Sequence, residues 1–219
     1  MKNQTGLTLF EMACALATIS FVIGTIFSVN QFLDRSTAKR LLGEMQEVKH
    51  VMHAYRDRYR AVPGDDWRAS THVPGTKSAS SEFGDNGLID GADQWSSHST
   101  NSNDSTLESG LFWQHVRMAG LARGEPSYLG AFNAVRGRLG VTSTSRIPTR
   151  PGDASGPFNV CSSAIPGKLA RMMDEEADDG DATSGIMWAA SETASTPITA
   201  PTLPTPYENS ARYSVCMAF

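Results

Sequence analysis

An apolar run near the start of the chain constrains the fold more than any other feature. It extends from Leu7 to Val29, and its only charged residue is Glu11. A helix over this run rises 1.5 Å per residue and is about 35 Å long, which exceeds the roughly 30 Å thickness of the hydrocarbon core of a bilayer. The sequence therefore predicts a membrane-spanning helix at 7–29.

The residues before this run distinguish it from a secretory signal. A secretory signal has basic residues first, then an apolar core, then a cleavage site of small residues beyond that core. Here a basic and polar segment ends at Gly6, before the apolar run, and no A-x-A-like site follows Val29. Cleavage after Gly6 would remove a leader at 1–6 and leave the membrane helix on the mature protein.

Gly6, Thr8, Leu9 and Glu11 in these positions resemble the prepilin signal of type IV pilins and of the related pseudopilins of secretion machines. The resemblance implies that a prepilin peptidase cuts after Gly6 and methylates the new amino terminus at Leu7. Most family members have phenylalanine at that position, and Leu7 is also apolar. The implied partners are this peptidase, an inner-membrane assembly machinery and other pilin subunits, in filaments that serve adhesion, twitching, DNA uptake or protein secretion.

Glu11 requires either a partner or a polar environment. An ionised carboxylate in hydrocarbon costs roughly 2.5–3.5 kcal/mol on insertion scales. The amine at Leu7 of a neighbouring subunit would be such a partner, and the resemblance implies this pairing, which sets the axial register of a filament. The alternative is that Glu11 reaches the membrane surface from a plain single-pass anchor, and its position alone favours neither.

The helix is predicted to continue beyond the membrane as an amphipathic half at 30–60. The first proline of the chain is Pro63, which ends the helix together with Gly64. Apolar residues before it recur at intervals of three and four, as one buried helix face requires. These residues are Ala38, Leu41, Met45, Val48, Met52, Tyr55 and Tyr59.

The remaining residues, 61–219, are predicted to form a globular head. A capping box at Ser105 and Glu108 opens a short helix, and a further helix has Pro166 in its first turn and stops at Asp178. The fold class is then α+β: a long N-terminal helix, half membrane-spanning and half amphipathic, packed on a small head of short helices and an antiparallel sheet. Strands are expected at 128–132, 138–143, 158–161 and 186–190, and 207–219 returns to the core.

Cysteine usage and charge placement suggest the compartment of the head. Cys14 lies in the apolar run, which leaves Cys161 and Cys216 as a candidate pair. Lys2 is the only charge before the run, and it favours a cytoplasmic amino terminus with the head in the periplasm or outside the cell. On that oxidising side the pair should form a disulfide worth about 3–4 kcal/mol by chain entropy. Two unrelated reduced thiols are the alternative.

Two acidic loops are candidate calcium sites. One contains Asp85 and Asp90, and the other contains Asp178, Asp179 and Asp181. Both place oxygen ligands beside glycines, as calcium loops do, but neither has EF-hand spacing. The resemblance adds that some secretion pseudopilins bind calcium. Aspartates that merely form turns are the alternative.

The sequence contains no constellation of catalytic residues, so no enzymatic activity is expected. The loop 152–157 is similar to the nucleophile loop of chymotrypsin-like proteases, but Ala154 stands where that family needs serine. His50 and His53 share a helix face without an H-E-x-x-H motif. His115, on the apolar side of its helix, is predicted to be a packed histidine rather than a ligand.

With a formal net charge of −4, the chain has no overall positive charge that would attract nucleic acid, so nucleic acid could bind only at a local basic patch. The function predicted from the sequence is therefore a structural subunit of a type IV pilus-type filament, first anchored in the inner membrane. The alternative is a single-pass, membrane-anchored binding or adhesion module that does not polymerise.

Overall fold

The computed structural model describes residues 8–80, 84–90, 95, 107–143, 148–152, 154–193, 198 and 202–219, with the backbone alone at 25–28. These residues form a long N-terminal helix, shorter helices and a five-stranded antiparallel sheet. The mixed α and β architecture agrees with the predicted combination of a long apolar helix and a small antiparallel sheet. The chain divides into two compact units between Thr37 and Ala38.

The elements follow one another in an irregular alternation of helices and strands. In chain order they are α1 (Leu9–Tyr59), α2 (Ala69–His72), α3 (Glu108–Met118), β1 (Ala131–Phe132), β2 (Arg138–Thr142), β3 (Asn159–Pro166), α4 (Gly167–Ala177), β4 (Met187–Ser191) and β5 (Arg212–Ala218).

Helix α1 ends close to the predicted position. Arg60, which follows Tyr59, has a left-handed φ of 57°, and its N–H donates to the carbonyl of Arg56 at 2.8 Å. A residue in this conformation is a common way to stop a helix. Pro63 comes three residues later and disfavours a return to helical geometry.

The predicted apolar face of α1 lies in the core of the unit that begins at Ala38. Its members from Ala38 to Tyr55 are buried, and Tyr59 is half-buried against them. They pack with one face of the sheet and with α3 and α4 in one hydrophobic cluster. The prediction that this stripe is a core face is confirmed.

The sheet has the strand order β1-β2-β3-β5-β4, and every neighbouring pair is antiparallel. Side chains alternate between its two faces, as strand geometry requires. Val160 and Val215 face the cluster that contains α1, whereas Cys161 and Cys216 face a smaller cluster with Trp188. The sheet is therefore covered on both faces.

Strands β1 and β3 differ most from the sequence prediction. The strand expected at 128–132 is reduced to the two residues of β1, and β3 extends to Pro166 instead of ending at Cys161. The amide of Asn133 donates to the Ser162 hydroxyl at 2.8 Å and to the Ser163 carbonyl at 2.7 Å. These bonds let buried serines continue a strand, although serine is a poor indicator of one.

The helices of the head also depart from prediction at their starts. The N-cap of α3 is Leu107, without a side-chain cap, so the predicted capping box at Ser105 is wrong as the start of this helix; Ser105 lies outside the described residues. Pro166 is the N-cap of α4 rather than a first-turn residue. Helix α2 is four residues long, and no helix was predicted at its position.

Candidate functional site

The first part of α1 presents its apolar side chains to the surroundings. Leu9 is 89% exposed, Phe21 is 74% exposed and Phe32 is 71% exposed. By length and composition this helix can cross a membrane. Contiguous exposed apolar surface of this extent marks a region that contacts lipid or another protein.

Glu11 closes a reciprocal capping box with Thr8 at the start of α1. The N–H and the hydroxyl of Thr8 donate to Glu11 Oε2 at 2.8 and 2.9 Å, and the N–H of Glu11 donates to Thr8 Oγ1 at 3.3 Å. The T-x-x-E spacing of Thr8 and Glu11 is the sequence signal for this role. Glu11 Oε1 makes no hydrogen bond within the described part of the chain, so one oxygen stays open to an external partner.

The predicted cleavage and methylation positions, Gly6 and Leu7, lie outside the described residues. They directly precede Thr8, which begins the described chain. Any group at Leu7 is therefore two positions from the start of α1 at Leu9.

Cys161 and Cys216 form a disulfide, as predicted. They are direct partners in the register of β3 and β5, with their Cα atoms 4.1 Å apart. Trp188 pairs with Cys216 from β4 and is almost fully buried. The bond thus joins the neighbouring strands β3 and β5 on the face of the sheet opposite the cluster that contains the α1 stripe.

The acidic loop after α4 brings two of its three predicted aspartates together. Oxygens of Asp178 and Asp179 lie with an oxygen of Asp174 within 4.8 Å of one another. The third predicted residue, Asp181, instead accepts from the N–H and the hydroxyl of Thr183 at 2.9 and 2.7 Å. Asp174, at 0% exposure, is a member that the calcium prediction did not include.

The carboxylates of this first cluster already have donors. Asp174 accepts from the Tyr207 hydroxyl at 2.7 Å, and burial raises its pKa to about 6. Asp179 accepts from the Ser184 hydroxyl at 2.7 Å and from the N–H of Asp181 at 2.8 Å. The backbone N–H groups of 186 and 187 donate to Asp178. The carboxylates of the cluster therefore stabilise the loop after α4, because they accept hydrogen bonds from its own residues and from Tyr207.

The other predicted loop is arranged around a different residue. Asp85 accepts from the indole N–H of Trp67 at 3.1 Å, and Asp90 accepts from the Asn86 amide at 2.8 Å. The N–H groups of 86 and 87 both donate to the carboxylate of Asp65, at 3.2 and 2.8 Å. The side chains of Asp85 and Asp90 therefore accept hydrogen bonds at this turn, which agrees in part with the alternative that these aspartates merely form turns. The carboxylate that accepts the backbone N–H groups of the turn is that of Asp65.

Glu108 joins Asp65 at this loop. Both are buried, at 1% and 2% exposure. The N–H of Asp90 donates to Glu108 Oε2 at 2.7 Å, whereas Oε1 has no hydrogen-bond partner. Burial raises the pKa of Glu108 to about 7, with the charges of Asp65 and Asp90 adding to the effect, and burial raises the pKa of Asp65 to about 6.

No local pattern in the sequence links Asp65 with Glu108. Asp65 follows Gly64 in the turn after the long helix, whereas Glu108 matches the capping box of another helix. Their segments can approach each other because position 64 is a glycine with a φ of 99°. A Cβ at this position would lie 2.5 Å from the carbonyl oxygen of Glu108 and would prevent the contact. This close approach between distant segments is a tertiary contact with no local pattern.

His115 is a packed histidine, as predicted. Its Nδ1 accepts the N–H of Gly64 at 2.9 Å, and its Nε2 lies 2.6 Å from the Lys77 carbonyl. Nε2 therefore carries the proton of a neutral ring. Burial lowers the pKa of His115 to about 4, so the ring stays neutral at pH 7 and joins three segments of the head.

A cavity of about 590 Å³ lies beside the second half of α1. The Arg117 guanidinium shapes one wall by donating to the Gly130 carbonyl at 2.6 Å and to the Tyr128 carbonyl. The rings of Trp113, Tyr128 and Phe132 contribute to its lining. A concavity of this size falls in the range of small-ligand sites.

No protein-family model matches this chain, and no significant match exists among curated proteins or solved structures.

Proposed function

We propose that this chain is a structural subunit of a type IV pilus-type filament, pilin-like or pseudopilin, processed after Gly6 and assembled through its N-terminal helix. The observation that carries the proposal is an exposed apolar helix whose one charge before Val29 is Glu11. A membrane anchor needs no carboxylate at that depth, and a charged group there is a functional feature by default.

The proposed mechanism is assembly. The Leu7 amine of one subunit meets Glu11 Oε1 of its neighbour, while Thr8 holds Oε2 of the same carboxylate. The apolar side chains of 9–29, which lipid covers in the inner membrane, then pack against the same region of other subunits. A neutralised ion pair removes the cost of a lone charge in the filament core.

The disulfide between Cys161 and Cys216 supports a head in an oxidising compartment. The head would lie in the periplasm while the subunit is anchored, and then on the surface of a periplasmic or extracellular filament. The partners in this scheme are a prepilin peptidase, the inner-membrane assembly machinery and other subunits.

The cavity beside α1 favours one second candidate, a membrane-anchored binding or adhesion module that never polymerises. Such a module needs the anchor and the cavity, but it has no use for processing at Gly6 or for Glu11. The two candidates therefore differ in the amino terminus of the mature chain and in the effect of changing Glu11.

The first test is intact mass and N-terminal sequencing of the protein from sheared surface filaments and from membranes, without reductant. A filament subunit should start at Leu7, carry one N-methyl group and lack two hydrogens for the Cys161–Cys216 bond. A chain that keeps residues 1–6, or that is cut after Val29, would contradict the proposal.

The second test compares Glu11→Ala and Glu11→Gln with Thr8→Ala as the matched control. Both Glu11 variants should remain in the membrane and disappear from the filament fraction, because neither can neutralise an amine. Thr8→Ala keeps the carboxylate and should still enter filaments. Mass analysis of each variant separates a processing defect from an assembly defect. Normal filament entry by Glu11→Ala would leave the non-polymerising module.

A further inference from the structure

The cavity beside the second half of α1 has a partly buried cation in its wall. Arg117 lines the cavity and is half-buried, and none of the ion pairs found among the described residues includes it. Its guanidinium donates instead to four neutral carbonyls, those of residues 123, 125, 128 and 130. Neutral carbonyls satisfy hydrogen bonds but do not neutralise a charge, so the wall keeps a positive charge.

These four hydrogen bonds leave one N–H group of Arg117 for a ligand. A guanidinium has five N–H groups, and the four bonds use the one on Nε, two on Nη1 and one on Nη2. The second N–H of Nη2 has no acceptor within the described part of the chain. Because the other bonds fix the guanidinium in place, a ligand need not order this side chain. An anionic oxygen forms the strongest hydrogen bond to such a group.

The lining of the cavity next to this cation is apolar and aromatic. Three lining residues are buried aliphatic side chains, namely Val48, Val51 and Leu139. The rings of Trp113, Tyr128 and Phe132 also contribute. The Cζ atom of Arg117 lies 5.2 Å from the centre of the Trp113 ring, so aromatic surface adjoins the charge directly. A ligand with an anionic group beside an aromatic body matches this arrangement.

The acidic residues that line the cavity do not neutralise the guanidinium. Glu44 pairs with Arg40 at 3.3 Å, and Glu47 is exposed. Glu125 is close enough for its charge to act on Arg117. The hydrogen bond between these two residues, however, is accepted by the backbone carbonyl of Glu125 and not by its carboxylate. The position opposite Arg117 is therefore left to an external anion.

We propose that this cavity binds a small carboxylate with an aromatic body. One oxygen of the carboxylate accepts the remaining N–H of Arg117, and the ring packs against Trp113, Tyr128 and Phe132. A volume of about 590 Å³ accommodates a ligand of this kind. The proposal depends on the cavity alone, so it stands whether or not the chain assembles into filaments.

The experiment uses the full chain in detergent at pH 7.5, with 2-naphthylacetate as the probe. Equilibrium dialysis against protein-free micelles of the same detergent corrects for probe dissolved in the micelles. The wild type should bind a single probe per chain, about tenfold more tightly than the neutral 2-naphthylacetamide, because the amide cannot form a charge-assisted hydrogen bond. Acetate at the same concentration should not displace the probe, since it lacks the ring.

Two pairs of variants locate the ligand. Arg117→Gln should bind the acid and the amide equally, whereas Arg56→Gln, which changes an exposed arginine outside the cavity, should keep the preference for the acid. Phe132→Ala should weaken the binding of both compounds by about threefold to tenfold, because it removes an aromatic contact. Leu203→Ala is its control, since Leu203 is also exposed and does not line the cavity, and it should change neither affinity.

Three results with no change at Arg117 would overturn the proposal. They are the absence of saturable binding of 2-naphthylacetate by the wild type, equal affinity of the wild type for the acid and the amide, and unchanged affinity in Phe132→Ala. These comparisons decide the matter even if Arg117→Gln does not fold. In a folded Arg117→Gln variant, a preference for the acid as large as that of the wild type would also overturn the proposal.

Discussion

The two parts of helix α1 have the same secondary structure and opposite surroundings. Before Thr37, apolar residues such as Leu9 and Phe21 are exposed on all sides of the helix. From Ala38 onward, one side of the helix that includes Leu41 is buried and most of the exposed positions are polar. A helix that is apolar all round needs an external apolar medium, whereas an amphipathic helix is completed by its own chain.

Because of this difference, we expect the second part of α1 to stabilise the head and the first part to serve function. The second part of α1 is built into the hydrophobic cluster of the head, so its side chains contribute to the free energy of unfolding. The described apolar side chains of the first part are exposed, so we expect them to contribute only when lipid or another subunit covers them. Three predictions test this separation, from the largest expected effect to the smallest.

Leu41→Ala should destabilise the head by about 2–5 kcal/mol, because it removes a fully buried side chain and leaves a cavity. Ile19→Ala is the matched control, since Ile19 is 55% exposed, and it should leave the free energy of unfolding of the head unchanged. Urea unfolding of the full chain in detergent, followed by tryptophan fluorescence, measures both. Equal losses in the two variants would contradict the separation.

The contribution of His115 to stability should depend on pH. Its pKa falls from 6.5 in the unfolded chain to about 4 in the fold, so the unfolded state binds a proton first as the pH decreases. The stabilisation is complete above pH 6.5 and is lost as the pH falls towards 4, by about 3 kcal/mol in total. The measurement is urea unfolding between pH 7.5 and 4.

His115→Gln provides the reference for this prediction, because glutamine can donate and accept without titrating. The raised pKa values of Asp65 and Glu108 act in the opposite sense, since protonation stabilises the fold as the pH falls. Only the difference between the wild type and His115→Gln isolates the histidine. A difference that stays constant from pH 7.5 to 4 would show that His115 does not titrate between these states.

Thr8→Ala should have the smallest effect and should act on the first part of α1 alone. It removes the capping box with Glu11, which is worth about 0.5–2 kcal/mol of local helix stability. Amide hydrogen exchange of the first helical turn should accelerate, while exchange at the buried stripe and urea unfolding of the head should not change. Faster exchange in the head would show coupling between the two parts.

The features that were predictable from the sequence have a period or a unique partner. The stripe from Ala38 to Tyr59 repeats at helical spacing, and burial follows from that period. The disulfide was predictable because Cys14 lies in the apolar run and only Cys161 and Cys216 remained. Both predictions rest on residues that have few alternative arrangements.

The features that were not predictable depend on contacts between distant segments. Glu108 matches a helix cap in its local sequence, yet its carboxylate accepts the N–H of Asp90, eighteen residues away. Strand β3 passes through two serines because Asn133 satisfies their polar atoms. Short hydrogen bonds of this kind leave no periodic pattern, and each of several polar neighbours could have supplied them.

The amino-acid order alone determined an apolar helix that carries one carboxylate and continues into an amphipathic helix, since length and period suffice for these conclusions, and it left Cys161 and Cys216 as the candidate pair. The tertiary structure decided which carboxylates meet. Glycine at position 64 lets the turn after α1 touch the start of α3, and this contact places Asp65 beside Glu108. Acidic residues repel one another, and no local period links positions 65 and 108, so only the folded chain, with backbone N–H groups that donate to both carboxylates, brings them together.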